Sequence, residues 1–179
     1  MQKKFPLVRV SISLYFYFLG FIFSSWASRI PQIKDKFQFD EAELGAVLFM
    51  LPLGALAALI YSGWLVHKAG SRTISISSAL AYTVLLFAIS KADSVPQLSF
   101  ILFLFGMIGN LGNISMNTQG ISIQHKINQP ILSSLHAMWS IGAFSAAAIS
   151  GWTMKNGYDT STHFMIVSLI AALIIFKRH

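Results

Sequence analysis

The chain has 179 residues, of which 55% are hydrophobic and only 11% charged, with a mean hydropathy of +0.64 and a formal net charge of +7. An average soluble domain is about 25% charged, so this composition excludes an ordinary soluble protein. Cysteine is absent, which excludes disulfides, Cys-based metal sites and thiol chemistry.

Six apolar stretches follow one another at 8–27, 43–66, 73–91, 97–118, 130–152 and 161–177. Each is near the ~20 residues that a helix needs to cross a ~30 Å hydrocarbon core. The first, "SISLYFYFLGFIFSSWAS", is too long for a cleaved signal peptide, and a second span follows shortly. Asp40 with Glu43 three residues on predicts a capping box at the start of span two. Pro52 predicts a kink inside that span, which neighbouring helices can accommodate. Pro96 and the Asn128-Gln129-Pro130 run predict prolines in the first turns of spans four and five, and Ser161-Thr162 predicts a cap for span six. Trp26, Trp64 and Trp152 fall near span ends, where an interfacial belt places them. Trp139 falls well inside span five, where its indole N–H needs a partner. The expected fold class is an all-α polytopic membrane protein, with residues 1–179 forming one unit of six transmembrane helices in the lipid bilayer.

The charges lie between these spans. With the N-terminus inside, Lys3, Lys4, Arg9, Lys68, Arg72, Lys126, Lys177 and Arg178 share one side with no acid. Arg29, Lys34, Lys36, Lys91 and Lys155 fall on the other, with Asp35, Asp40, Glu41, Glu43, Asp93 and Asp159. The bias of eight basic residues to five sets both termini in the cytoplasm. The positive charge is therefore topological, and no nucleic-acid partner is expected.

Span four carries amides at membrane depth. At 100° per residue, Gly106, Asn110, Asn113 and Asn117 fall within about 60° of one another. An unpaired amide in lipid costs roughly 1–3 kcal/mol, so this stripe faces protein or water. One reading is interhelical hydrogen bonding, at about 0.6 kcal/mol per bond; the other is a solute cavity. Span five offers a facing wall in "SSLHAMWSIGAF", with His136, Trp139 and Ser140 at helical spacing. His136 is the histidine expected at membrane depth, either as a neutral imidazole bonding across helices or as a functional group. Gly142, Ala146 and Gly151 follow it as a closely packing face. Amides, an indole and an imidazole around one cavity suit a polyhydroxylated or amide-bearing solute and not a bare ion. No metal or cofactor is expected. The candidate substrate-binding set is Ser24, Asn110, Asn113, Asn117, His136 and Trp139.

Between spans two and three the chain reads "GWLVHKAGSR", with Gly63, His67, Lys68, Gly70 and Arg72. This resembles the signature loop of the major facilitator superfamily, glycine-x-x-x-aspartate-arginine-x-glycine-x-arginine, with His67 at the aspartate. The two glycines are expected to serve a tight turn and a close helix approach, and the loop as a whole to gate the cytoplasmic side. "SSWASRIPQIKDKF" (24–37), "NTQG" (117–120) and "LHAMWSIGAF" (135–144) are similar to a bacterial branch of that superfamily related to the fucose-permease group of sugar–proton symporters. The resemblance covers the whole chain but only the N-terminal six-helix half of such a transporter. It implies secondary-active transport of a small polar solute such as a sugar, by symport, in the bacterial inner membrane. In the fucose-permease pattern carboxylates of helices one and four bind sugar and handle the proton. The matching positions here are Ala27 and Asn113, which leaves His136 as the ionisable candidate. Ser24 matches a polar cavity position and Trp139 an amide of helix five. The resemblance also implies a partner, either a second six-helix half or a second copy of the chain, with truncation of a longer product the favoured expectation.

Two other classes compete. A non-transporting remnant or membrane partner protein fits the single half. An intramembrane hydrolase needs a serine on a tight glycine turn with a facing histidine, and its nearest match is Ser122 in "GISIQ" (120–124). A transporter, and not an enzyme, is the expectation.

Overall fold

A capping box, two prolines and a glycine turn decide where the helices of this protein begin and break. The computed structural model describes residues 5–177, and its elements are all helical: α1 (Phe5–Ala27), α2 (Ile30–Phe37), α3 (Glu41–Leu48), α4 (Met50–Ala69), α5 (Ser71–Ser90), α6 (Val95–Ile127), α7 (Leu132–Lys155) and α8 (Thr160–Lys177). Lys3, Lys4 and Arg178 of the charge tally lie outside the described residues. With α1 running on into α2 and α3 into α4, five of the rods are long and apolar enough to cross a membrane, and α8 contributes a shorter apolar stretch over Thr160–Leu173. The protein is an all-α, polytopic integral membrane protein.

The helix ends follow local chemistry. Asp40 accepts the Glu43 N–H at 2.8 Å, and Glu43 accepts the Asp40 N–H at 3.0 Å, completing the expected capping box. Pro52 has no N–H for the Leu48 carbonyl, and the helix breaks at Phe49, between α3 and α4. Pro96 sits in the first turn of α6, whose N-cap is Ser94. Three expectations need correction. Pro130 precedes the N-cap of α7, Ile131, and the first N–H groups are satisfied by the Gln124 side-chain oxygen at 3.0 and 3.4 Å. Asp159, not Ser161 or Thr162, caps α8, accepting the Thr162 N–H at 3.2 Å. Hydrogen bonds from the Thr162 side chain, ahead of those from the backbone, hold the Asp159 carboxyl below its ordinary pKa. Finally, α6 does not stop at 118 but continues to Ile127, because its polar last turns remain helical and close on Asn128 at φ 52°.

Packing rests on glycines that seat against carbonyl groups. A Cβ on Gly20 would overlap the Trp139 carbonyl oxygen, and one on Gly142 would overlap that of Tyr17. The same reciprocal contact joins α4 to α6, where Gly54 meets the Phe103 carbonyl and Gly106 meets that of Leu51. In each of the four helices the glycine follows its own contact carbonyl by three residues: "YFLG" 17–20, "LPLG" 51–54, "FLFG" 103–106 and "WSIG" 139–142. Two helix pairs, α1–α7 and α4–α6, are thus built on one repeated contact. Against them lie α5 and α8, joined where the Ser168 hydroxyl donates to the Thr83 carbonyl at 2.8 Å.

At the end of the bundle that carries the acids, Arg29 is 1% exposed in the turn between α1 and α2. Its guanidinium donates to His163 Nδ1 at 3.1 Å, to the Tyr158 carbonyl at 3.1 Å and to Thr153 Oγ1 at 2.6 Å. Because Nδ1 accepts, His163 is the neutral tautomer with its proton on Nε2. This cluster ties the α1–α2 turn to the end of α7 and the start of α8. Trp26, placed by sequence in an interfacial belt, is instead buried between Phe23 and Phe105. Trp64 and Trp152 are exposed, and Lys68 lies 4.8 Å above the Trp64 ring.

The glycine contacts predict an uneven mutational response. Gly54→Leu and Gly142→Leu drive a side chain into a neighbouring backbone and should each cost about 1–3 kcal/mol or more. Gly63→Leu meets open space and should leave the unfolding midpoint in detergent unchanged. Equal midpoints for all three variants would overturn this packing scheme.

Candidate functional site

The paired helices leave a cavity of about 390 Å³ between them, walled by α1, α4, α5, α6 and α7. Its polar side chains are Asn110 and Asn113 of α6, His136 and Trp139 of α7, and the phenol-bearing Tyr82 of α5. The first four lie near the middle of α6 and in the first half of α7. The position follows from the packing, since the glycine crossings at Gly20, Gly106 and Gly142 are where the helix pairs come closest. Among the described residues, no Asp, Glu, Lys or Arg lines the cavity.

Each sequence-derived candidate has a definite place. The Asn110 side chain donates to the Ala55 carbonyl at 2.7 Å, bridging α6 to α4, and also lines the cavity. The interhelical bond is present, and the residue also borders the void. Asn113 is exposed to the cavity and accepts on Oδ1 from Asn117 Nδ2 at 3.0 Å. Asn117 also donates to the Asn113 carbonyl at 2.9 Å, and it lies outside the cavity wall. Ser24 is half-buried and likewise outside the wall. His136 meets the Phe16 ring edge-on at 5.3 Å, and the Ser140 hydroxyl bonds back to the His136 carbonyl at 3.3 Å. Trp139 stands 6.1 Å from Phe23.

Sequence reasoning missed the aromatic side of the wall. Rings follow one another from Trp139 to Phe23, Trp26, Phe105 and Tyr82, the last pair stacked at 4.0 Å. Tyr82 reaches this place because Gly109 has no side chain, so that its ring packs directly on α6. A tyrosine in the middle of span three was the available signal. Apolar rings with a few convergent polar groups are the usual composition of a small-molecule site.

The loop set behaves differently from its expectation. Gly70 takes φ 81° between α4 and α5, a conformation that favours glycine. Gly63 approaches nothing within 4 Å, so it serves no close helix contact, and neither does Gly151 on α7. His67 and Lys68 are exposed in the last turn of α4, and Arg72 is exposed in the first turn of α5. Ser122 is on no turn at all: it lies within α6 and its hydroxyl donates to the Thr118 carbonyl at 2.9 Å. The geometry that a serine hydrolase requires is absent there.

Asn110 and Asn113 should separate stability from site chemistry. Asn110→Ala removes an interhelical bond and should lower stability by about 0.6 kcal/mol, with about 1.7 as the upper end. Asn113→Ala should stay within about 0.5 kcal/mol of the parent. Unfolding of both variants in mixed micelles checks this; a larger loss for Asn113→Ala would place its main role in packing.

No family model matches the chain, and no solved structure matches it. Among curated proteins, it is 31% identical over 152 residues to the uncharacterized transporter y4wD of Sinorhizobium fredii, covering 84% of this chain and 40% of that protein. It is 28% identical over 176 residues to the membrane protein MosC of Rhizobium meliloti, covering 98% and 42%. It is 21% identical over 171 residues to an uncharacterized MFS-type transporter of Yersinia pestis, covering 96% and 44%. The chain spans about two fifths of the length of these relatives. Two of these relatives are named as transporters, one of them of the major facilitator type, the third is named as a membrane protein, and none of these names is an enzyme's.

Proposed function

We propose that this chain forms one six-helix bundle of a major-facilitator-type secondary transporter that carries a small, uncharged polar solute. The observation that carries this reading is the cavity holding Asn110, Asn113, His136 and Trp139 at mid-bundle depth. A wall without formal charge but with amides, an imidazole and stacked rings suits a solute with hydroxyl groups on an apolar frame, of which a monosaccharide is the type. Asn113 and His136 would hydrogen-bond the solute and Trp139 would cover its apolar face, while Asn117 orients Asn113. Coupling to a proton falls to His136, because no carboxylate among the described residues lines the wall.

The second bundle would rock against α4 and α7. These two rods have only 17% of their apolar windows buried, against 33–44% for the other candidate spans. Leu56, Ile60 and Trp64 of α4 and Ile141 and Phe144 of α7 are exposed. The bundle opposite would come from the rest of a longer product, as the length of the relatives suggests, or from a second copy. Its membrane would be the bacterial inner membrane, with both termini cytoplasmic.

Two experiments test this. In the cysteine-free background, Lys155→Cys should label with an impermeant maleimide from outside intact cells and Ala69→Cys should not; the reverse pattern refutes the orientation. In proteoliposomes, a chain that is monomeric by light scattering should accumulate no sugar, because alternating access requires two bundles. Paired bundles should take up neutral sugars, and Asn113→Ala or Trp139→Ala should reduce uptake at least about tenfold, the effect of losing roughly 1.4 kcal/mol of binding. Accumulation by the monomer, or uptake indifferent to both substitutions, would sink the proposal.

A further inference from the structure

Tyr82 stands in the middle of α5 and gives the wall of the central cavity its one hydroxyl among the described residues. The side chain is 4% exposed, and its ring stacks on Phe105 with centroids 4.0 Å apart and planes 20° from parallel. Its outer edge lies on the backbone of Gly109, where a Cβ would come within 2.9–3.1 Å of Cε2, Cζ and Oη. The phenol is thus held from two sides, and Gly109 itself lines the cavity. Among the described residues nothing hydrogen-bonds the Tyr82 hydroxyl. A buried tyrosine hydroxyl ordinarily finds a partner, and one left unpaired is costly.

The neighbouring polar groups of the wall are committed, or differ in kind. Asn110 donates to the Ala55 carbonyl at 2.7 Å. Asn113 Oδ1 accepts from Asn117 at 3.0 Å, which leaves the Asn113 Nδ2 group as a donor for a bound molecule, and an indole such as that of Trp139 only donates. A phenol both donates and accepts, as a sugar hydroxyl does. Gly109, which seats the phenol, and Asn113 are four residues apart on α6. Their backbones are therefore about 6 Å apart along the helix axis and on one face, a separation that a single sugar ring spans.

We propose that Tyr82 is a specificity-determining residue of this cavity: its hydroxyl exchanges a hydrogen bond with one hydroxyl of a bound sugar, and Gly109 is the seat that holds the phenol there. The inference rests on the proposal that the cavity takes a neutral sugar. A solute without that hydroxyl leaves the phenol unpaired, which is how a site built to bond a hydroxyl rejects an analogue that lacks it. Stacking on Phe105 keeps the ring from turning to another partner. Asn113 and Trp139 then supply affinity for sugars in general, and α5 supplies the choice among them.

Scintillation proximity binding of tritiated D-glucose and D-galactose to the full chain in detergent, competed by each monodeoxy analogue, is the test. One analogue should bind the parent at least about tenfold more weakly than its sugar, the size of one lost hydrogen bond. In Tyr82→Phe that ratio should fall to about twofold or less, while the ratios for the other analogues stay as in the parent. Gly109→Ala should lose the same ratio, because its methyl group displaces the phenol. Tyr82→Phe keeps the ring on Phe105, so the test does not depend on the folding of Gly109→Ala. A parent chain that holds neither sugar refutes the neutral-sugar reading and this role with it. Sugar binding in which Tyr82→Phe weakens every analogue alike, or changes nothing, overturns the role of Tyr82 and leaves the reading of the cavity intact.

Discussion

Helices in a bilayer gain little by hiding apolar surface from one another, because the lipid is as apolar as they are; close contact and backbone approach have to hold them. In this protein that approach occurs at four glycines, Gly20, Gly54, Gly106 and Gly142, each lying against a carbonyl of the facing helix. Contacts of this kind bring Cα–H groups onto carbonyl oxygens, a weak attraction that recurs at helix interfaces. The central cavity is placed by them. The α4–α6 crossing brings the Ala55 carbonyl within reach of Asn110, and the α1–α7 crossing sets Trp139 beside Phe23.

The repetition of the contact has a structural consequence. Helix α1 stands to α7 as α6 stands to α4, so the front of the bundle is two like pairs enclosing one cavity. Polar groups are contributed by only one helix of each pair, α6 and α7, while α1 and α4 supply apolar wall and carbonyls.

Electrostatics divides the molecule along the other axis. The acidic end is internally compensated, through the surface pairs of Lys34 and Lys36 and a buried Arg29 that spends its donors on neutral acceptors in α7, α8 and their connection. Surface pairs of this sort add little stability on their own. The Arg29 cluster is different, since a buried cation left without partners is costly, and it therefore fixes the α1–α2 turn relative to α8.

Much of this was legible in the sequence, for a physical reason. Spanning length, the charge difference between the two ends, the capping box at Asp40 and Glu43 and the break near Pro52 depend on residues within a turn or two of one another, or on transfer into lipid residue by residue. The amide stripe of α6 was also legible, because helical geometry alone puts Asn110, Asn113 and Asn117 on one face. What it could not settle was which members of that face meet a cavity: Asn117 bonds back to Asn113 outside the wall, while Asn110, which reaches the Ala55 carbonyl, and Asn113 both line it. Nor could local pattern distinguish glycines that touch a helix from Gly63 and Gly151, which touch nothing, or bury Trp26. The contact of Arg29 with His163 spans 134 residues. Such choices are made by the crossing points of helices far apart in the chain, and only the tertiary structure fixes those.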